Sequence, residues 1–196
     1  MYVFSNTDPE YITNLRFFVQ FAISKDDRCD YVIVVQTDAD KAERSGPFLP
    51  IPPSHPHPSP SSQTPDLPDL PPNARYLHHA NECYDWGTIG WAINVAGVDT
   101  RPYSFFIFMN SSVRGPFIPP YAKDMIKWQD VLIGRIDARV KLVGPTISCE
   151  GSPPGGRVRE KWRVNPHVQS YVLATDQGAQ GDSALADLQC AGHAPL

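Results

Sequence analysis

The sequence predicts an α/β fold, a mainly parallel sheet flanked by helices, and three observations carry that expectation. Short continuous apolar runs at Tyr2–Phe4, Tyr31–Val35 and Phe105–Met109 read as strands buried on both faces. Between the first two lies an apolar stripe at helical spacing, Tyr11, Leu15, Phe18 and Ala22, so the chain alternates strand, helix, strand. Two of the runs end abruptly in polar residues, Gln36 to Asp38 and Asn110 to Ser112. Ligands of open α/β sheets collect beyond such carboxyl ends.

The totals bound what this fold can do. A chain of 196 residues suits one domain, expected over 1–176, interrupted by a loop at 46–72 and followed by a disordered tail at 177–196. Net charge is -4 with pI near 5.8, and the 17 Lys and Arg form no block, so no nucleic-acid partner is expected. No stretch approaches ~18 consecutive apolar residues, and no basic-then-apolar leader precedes Tyr2, so no membrane segment is expected in the chain as given. A core strand beginning about one residue from the first raises the expectation of a missing upstream segment. If that segment is an anchor, a Golgi or other endomembrane lumen follows. The four cysteines, Cys29, Cys83, Cys149 and Cys190, form no C-x-x-C pair and read as free thiols or small apolar residues. A Cys83–Cys149 disulfide is the alternative in an oxidising lumen.

Along the chain, Asp8 is placed to cap the first helix, with Pro9 at its first position. Asp38 and Asp40 follow the second strand as solvated loop carboxylates rather than a metal pair. The 21 prolines are about twice the usual ~5% share, and eleven of them fall between Gly46 and Pro72. Proline fixes φ and removes a donor, so this segment is expected to be a solvated insertion, partly polyproline II. His55 and His57 within it read as unliganded. Ala74–Leu77 gives a short strand, and Asp85 is placed to cap a helix with Ile89, Ile93 and Ala96 on its apolar face and Gly97 as its stop. Gly87 and Gly90 leave that helix start open to a ligand or to tight packing, and free N–H groups there favour anions. Further on, Met125, Trp128, Leu132 and Ile136 predict a helix over Asp124–Ile136, Val140–Gly144 and Ile147 a strand, and His167–Ala174 the last strand.

The blocks YVIVVQ, NECYDWGTIGWAI, NSSVRGPF and PHVQSYVLATD resemble a glycosyltransferase family found as open reading frames in algae, plants, fungi and bacteria. They are more distantly similar to rhamnan-synthesis-type proteins. The resemblance covers 2–176 apart from the Pro-rich insertion, and the blocks NSSVRGPF and PHVQS are its specific part. It implies a GT-A-like, Rossmann-like fold, a nucleotide-sugar donor and a glycan or other acceptor.

By that resemblance Asp85 and Gly87 fall at the nucleotide-side turn, and Asn110, Ser111 and Ser112 stand where a metal-holding D-x-D motif belongs. Asn-Ser-Ser offers only neutral oxygens, whereas hard divalent cations take carboxylates, so a metal cofactor is not supported. Arg114 is the nearest counter-charge for a departing diphosphate, or else a surface arginine bridging an acidic neighbour. His167, flanked by Gln169, is the candidate base with an imidazole suited to neutral pH, or else a structural histidine satisfied by backbone, and Asp176 is the weaker candidate. Asn110-Ser111-Ser112 is also a formal glycosylation sequon, expected unmodified at the end of a buried strand. The leading expectation is a glycosyltransferase. A non-catalytic nucleotide-sugar or glycan-binding domain on the same scaffold and an incomplete fragment of a larger enzyme are the alternatives.

Overall fold

The computed structural model of the protein describes residues 1–37, 66–81, 84–116, 118–122, 124–148, 151–152, 163–164 and 167–180. The order is β1 (Tyr2–Ser5), α1 (Pro9–Ala22), β2 (Tyr31–Thr37), β3 (Ala74–Ala80), α2 (Asp85–Asn94), β4 (Phe105–Asn110), α3 (Trp128–Ile133), β5 (Leu142–Val143), β6 (Ile147–Ser148), β7 (Gly151–Ser152), β8 (Arg163–Val164), β9 (His167–Val168) and β10 (Val172–Asp176). One six-stranded sheet has the order β3-β2-β1-β4-β10-β5. Strands β3, β2, β1 and β4 run parallel, and β10 enters antiparallel against both β4 and β5. The sheet is therefore mainly parallel but mixed.

Strict alternation along the strands sorts the core onto two faces. Tyr2, Phe4, Ile33, Val35, Met109, Val172 and Ala174 face α1 and α3, where they meet Leu15, Phe18 and Trp128. Val3, Val32, Val34, Phe108 and Leu173 face α2, where they meet Ile89 and Ala92. Helices α1 and α2 lie on opposite faces because the chain reverses its progress. From β1 it moves outward to β2 and β3, and then it crosses back over both to lay β4 on the other side of β1. With crossovers of one hand, that reversal puts the second helix on the other face. The switch point falls between β1 and β4.

The start of α1 follows local chemistry: Asp8 is extended, its carboxylate accepts from the Glu10 N–H at 2.8 Å, and Pro9 takes the first helical position. Leu15, Phe18 and Ala22 are buried as their spacing predicts. Other expectations are corrected. Strand β4 is not buried throughout, since Phe105 is 41% exposed and only Phe108 and Met109 are buried. The helix expected over Asp124–Ile136 shrinks to Trp128–Ile133. Met125 and Ile126 both donate to the Ala122 carbonyl in a turn, and Lys127 is extended. Trp128 is pinned instead by its indole Nε1–H, which donates to the Ala22 carbonyl at 2.8 Å. The expected strand His167–Ala174 is two strands. Gln169 to Tyr171 carries the chain from the small β6–β9 ladder into the main sheet, with the Gln169 N–H donating to the Thr146 carbonyl.

The exit of the Pro-rich segment, Asp66 to Pro72, is docked rather than solvated. Leu67 and Leu70 pack on the core, the Tyr76 hydroxyl donates to the Pro68 carbonyl at 2.6 Å, and Arg16 pairs with Asp66. Asp38, Asp40, His55, His57, Cys83, Cys149, Cys190 and the end of the chain beyond 180 lie outside the described residues. Cys29 is a free thiol. No described helix is long and apolar enough to cross a membrane.

Candidate functional site

The carboxyl ends of β1, β2 and β4 and the first turn of α2 converge on one polar cluster at the switch point. Asn110 ends β4, and its Oδ1 accepts from the Ser112 N–H at 3.1 Å and the Ser112 hydroxyl at 2.6 Å. Only an oxygen can accept from the backbone N–H, which fixes the amide's orientation. Its Nδ2 therefore faces the other way and donates to Asp85 Oδ2 at 2.7 Å. Asp85 stands at the first position of α2. This corrects its expected role as a cap, because the cap position belongs to Tyr84 and no side chain caps the helix. The Asn110 amide, arriving from β4, claims the carboxylate instead. The helix itself buries Thr88, Ile89 and Ala92; Ala96, expected on that face, lies past its end and is exposed. Gly97 does mark the exit, in the left-handed conformation.

Beside this pair, Gln36 at the end of β2 donates from Nε2 to the buried Thr88 hydroxyl of α2 at 2.6 Å. The Ser5 N–H at the end of β1 donates to the Ser111 hydroxyl at 3.3 Å. From the other face, Asn14 of α1 donates through Nδ2 to the Ser111 carbonyl at 3.0 Å, and both residues are buried. Arg114 hangs on the same helix: its Nε–H donates to Asn14 Oδ1 at 3.2 Å, and its guanidinium lies 5.4 Å from the centre of the Phe17 ring. The expected acidic neighbour of Arg114 is thus replaced by an amide and an aromatic face.

The structure brings Asp85, Asn110, Ser111 and Ser112 together and sets Gly87 in the first turn of α2, two residues from Asp85. His167 and Gln169 belong to the chain that leads into β10 beyond the end of β4, His167 in the separate β6–β9 ladder: it is the Tyr171 carbonyl that accepts from the Asn110 N–H. His167 pairs with Ser148, and Gln169 Oε1 accepts from the Thr146 hydroxyl, which also bonds Tyr171. Asp176 lies elsewhere. It is paired with Phe105 at the opposite end of β4, five residues or about 16 Å from Asn110. Its carboxylate is held by Lys141 at 2.6 Å, so it is fixed rather than loose.

Sequence reasoning missed Ser5, Asn14, Phe17 and Thr88, and named Gln36 only as the polar exit of its strand. Asn14 carried a signal, because it interrupts the buried face formed by Tyr11, Leu15 and Phe18, and a polar residue on such a face needs partners. Ser5 and Gln36 carried a weaker one, as the polar residues that close two apolar runs.

A divalent ion does not fit the cluster well. The cluster offers a single carboxylate, Asp85, and the Asn110 oxygen is turned to Ser112. Among the described residues no three His, Cys, Asp or Glu side chains form a group that could hold an ion. Asp85 also sets the charge at the start of α2. A carboxylate at the first helical position offsets the positive end of the helix dipole, so an anion gains little there and a hydroxyl donor gains more. We find no match to this chain among protein-family models, curated proteins or solved structures.

Proposed function

We propose that the protein is a GT-A-like glycosyltransferase that binds a nucleotide-sugar donor at the β1–β4 switch point and passes the sugar to a glycan or other acceptor. The observation that carries the reading is the Asp85–Asn110–Ser112 cluster, built from two elements 25 residues apart at the place where open α/β sheets hold nucleotides. Asp85 accepts hydroxyl protons of the donor's ribose or sugar. Arg114, always charged and steadied by Phe17, takes the diphosphate and meets the charge that develops as the sugar leaves. His167 is the base for the acceptor hydroxyl.

A second reading, a non-catalytic nucleotide-sugar or glycan-binding domain, is favoured by one observation: Asp176, the other candidate base, sits at the far end of β4. Calorimetry against nucleoside diphosphates and nucleotide sugars, with and without manganese, followed by a donor-hydrolysis assay, separates the two. Binding with turnover supports the enzyme, and binding alone supports the second reading. Arg114→Ala is expected to cost about 1.5–3 kcal/mol in donor affinity, the scale of charge-assisted hydrogen bonds. Unchanged affinity removes Arg114 from the site.

A further inference from the structure

A groove of about 540 Å³ runs along the outer edge of the six-stranded sheet, where β5 is the last strand. Its floor is apolar: Val140, Leu142 and Ile147 line it at 41%, 48% and 64% exposure, with Val168 half-buried beside them. Apolar side chains left open side by side mark an interaction surface, as single ones do not. The turn ahead of β5 supplies the charged wall, Arg135 and Asp137. Asp137 is committed to that turn, because its Oδ1 accepts from the Arg139 N–H at 2.7 Å and the Val140 N–H at 2.8 Å. Lys141 is committed to Asp176. Arg135 and Arg139 are exposed, and neither guanidinium has a hydrogen-bond or ion-pair partner among the described residues. The rim therefore carries uncommitted positive charge.

The backbone of β5 adds an independent feature. The Asn110 N–H donates to the Tyr171 carbonyl and the Gln177 N–H to the Ser104 carbonyl. Odd-numbered residues of β10 thus exchange hydrogen bonds with β4, and even-numbered ones turn to β5. Ala174 pairs with Val143, so Val143 points its N–H and C=O inward. Leu142 points both outward, and no described strand pairs with that side. Val140 does not lengthen the open row, since its N–H and carbonyl are both bonded to Asp137. The free ladder is short, and the apolar floor and the two arginines supply the rest of the contact.

We propose that this groove binds an extended peptide of another protein, apolar at its centre and acidic at its ends. The peptide backbone pairs with the Leu142 N–H and C=O, its apolar side chains cover Val140, Leu142 and Ile147, and its carboxylates meet Arg135 and Arg139. Charge and backbone select this occupant. In a twofold contact between two copies the face meets itself, which sets arginines against arginines. An anionic lipid surface satisfies the arginines but offers no strand to the Leu142 ladder groups.

The test titrates the full chain with acetyl-Asp-Val-Leu-Val-Asp-amide and with the charge-reversed control acetyl-Lys-Val-Leu-Val-Lys-amide, read by calorimetry and by hydrogen exchange of the Leu142 amide. The expected result is saturable binding of the acidic peptide and about tenfold slower Leu142 exchange. Binding is at least tenfold weaker for the lysine peptide, and for the acidic peptide on the double variant Arg135→Glu, Arg139→Glu, whose melting temperature matches wild type. Leu142→Pro removes the outward N–H and spares the bonds to β10, and it should weaken binding to a similar extent. No binding of the acidic peptide, equal binding of the two peptides, or binding without protection of Leu142 overturns the proposal. Two further results overturn it by naming another occupant. Leu142 protection that grows with protein concentration in the absence of peptide assigns the face to a second copy. Arginine-dependent binding to phosphatidylserine vesicles, with no response to peptide, assigns it to a membrane.

Discussion

Replacing Asn14 by alanine tests whether the candidate site is fastened to α1 by this one side chain. The Asn14 amide is the donor to the Ser111 carbonyl at 3.0 Å, and both residues are at most 6% exposed. Its loss leaves a buried carbonyl without that donor, at about 1–3 kcal/mol. The second bond, from Arg114 to Asn14 Oδ1, is at an exposed arginine and adds little to stability. The expected total is about 2 kcal/mol, or roughly 4–8 °C in melting temperature for a domain of this size. Urea denaturation followed by circular dichroism reads it, as a lower midpoint at constant slope. Asn14→Asp should cost more, because it sets a carboxylate against the Ser111 carbonyl. A loss below about 0.5 kcal/mol in Asn14→Ala would refute the reasoning, since that is the scale of surface substitutions away from such features.

The remaining predictions follow from other groups. Tyr2 is 2% exposed, and its hydroxyl finds no hydrogen-bond partner among the described residues. Tyr2→Phe keeps the stack on Phe18 and should stabilise by up to about 1 kcal/mol in the same urea assay, and a loss of 1 kcal/mol would show that the hydroxyl has a partner. Gly97 has φ +71° with nothing within 4 Å of an added Cβ, so Gly97→Ala should cost only backbone strain, about 1–2 kcal/mol. For Asp27, burial pushes the pKa up, but the Tyr31 hydroxyl, the Ser24 N–H and Lys127 together hold it below the usual value. A depressed carboxylate contributes stability that is complete above its unfolded pKa of about 3.9 and is lost as pH falls through the lower folded value. The stability difference between wild type and Asp27→Asn should therefore shrink below about pH 4. A difference that does not change from pH 6 to pH 2.5 would contradict this.

Sequence pattern carried the parts of the fold that depend on near neighbours. Asp8, Pro9 and the stripe from Tyr11 to Ala22 specify α1 by themselves, and the apolar runs specify β1, β2 and β4. What sequence could not supply were competitions decided at long range. Asp85 has the composition of a cap, but Asn110 reaches its carboxylate from β4. The stripe from Met125 to Ile136 has helical period, yet only the part that docks on α1 through Trp128 forms a helix. The Asn110–Arg114 block was legible as a candidate site because it closes an apolar strand at the carboxyl end, where open α/β sheets take ligands. Its partner Asn14 was legible only as a polar residue on an apolar helix face, and Thr88, the partner of Gln36, gave no signal because it lies within a helix that reads as packing.

The central claim is that the Asp85–Asn110 cluster is where a nucleotide sugar binds. Its most direct test is calorimetric titration of nucleoside diphosphates and nucleotide sugars into the wild type and Asn110→Ala, which frees Asp85 and Ser112 from their shared partner. The expected result is saturable binding by at least one nucleotide in the wild type and at least tenfold weaker binding in the variant, about 1.4 kcal/mol. No binding by any nucleotide, or equal binding by both proteins, would contradict it.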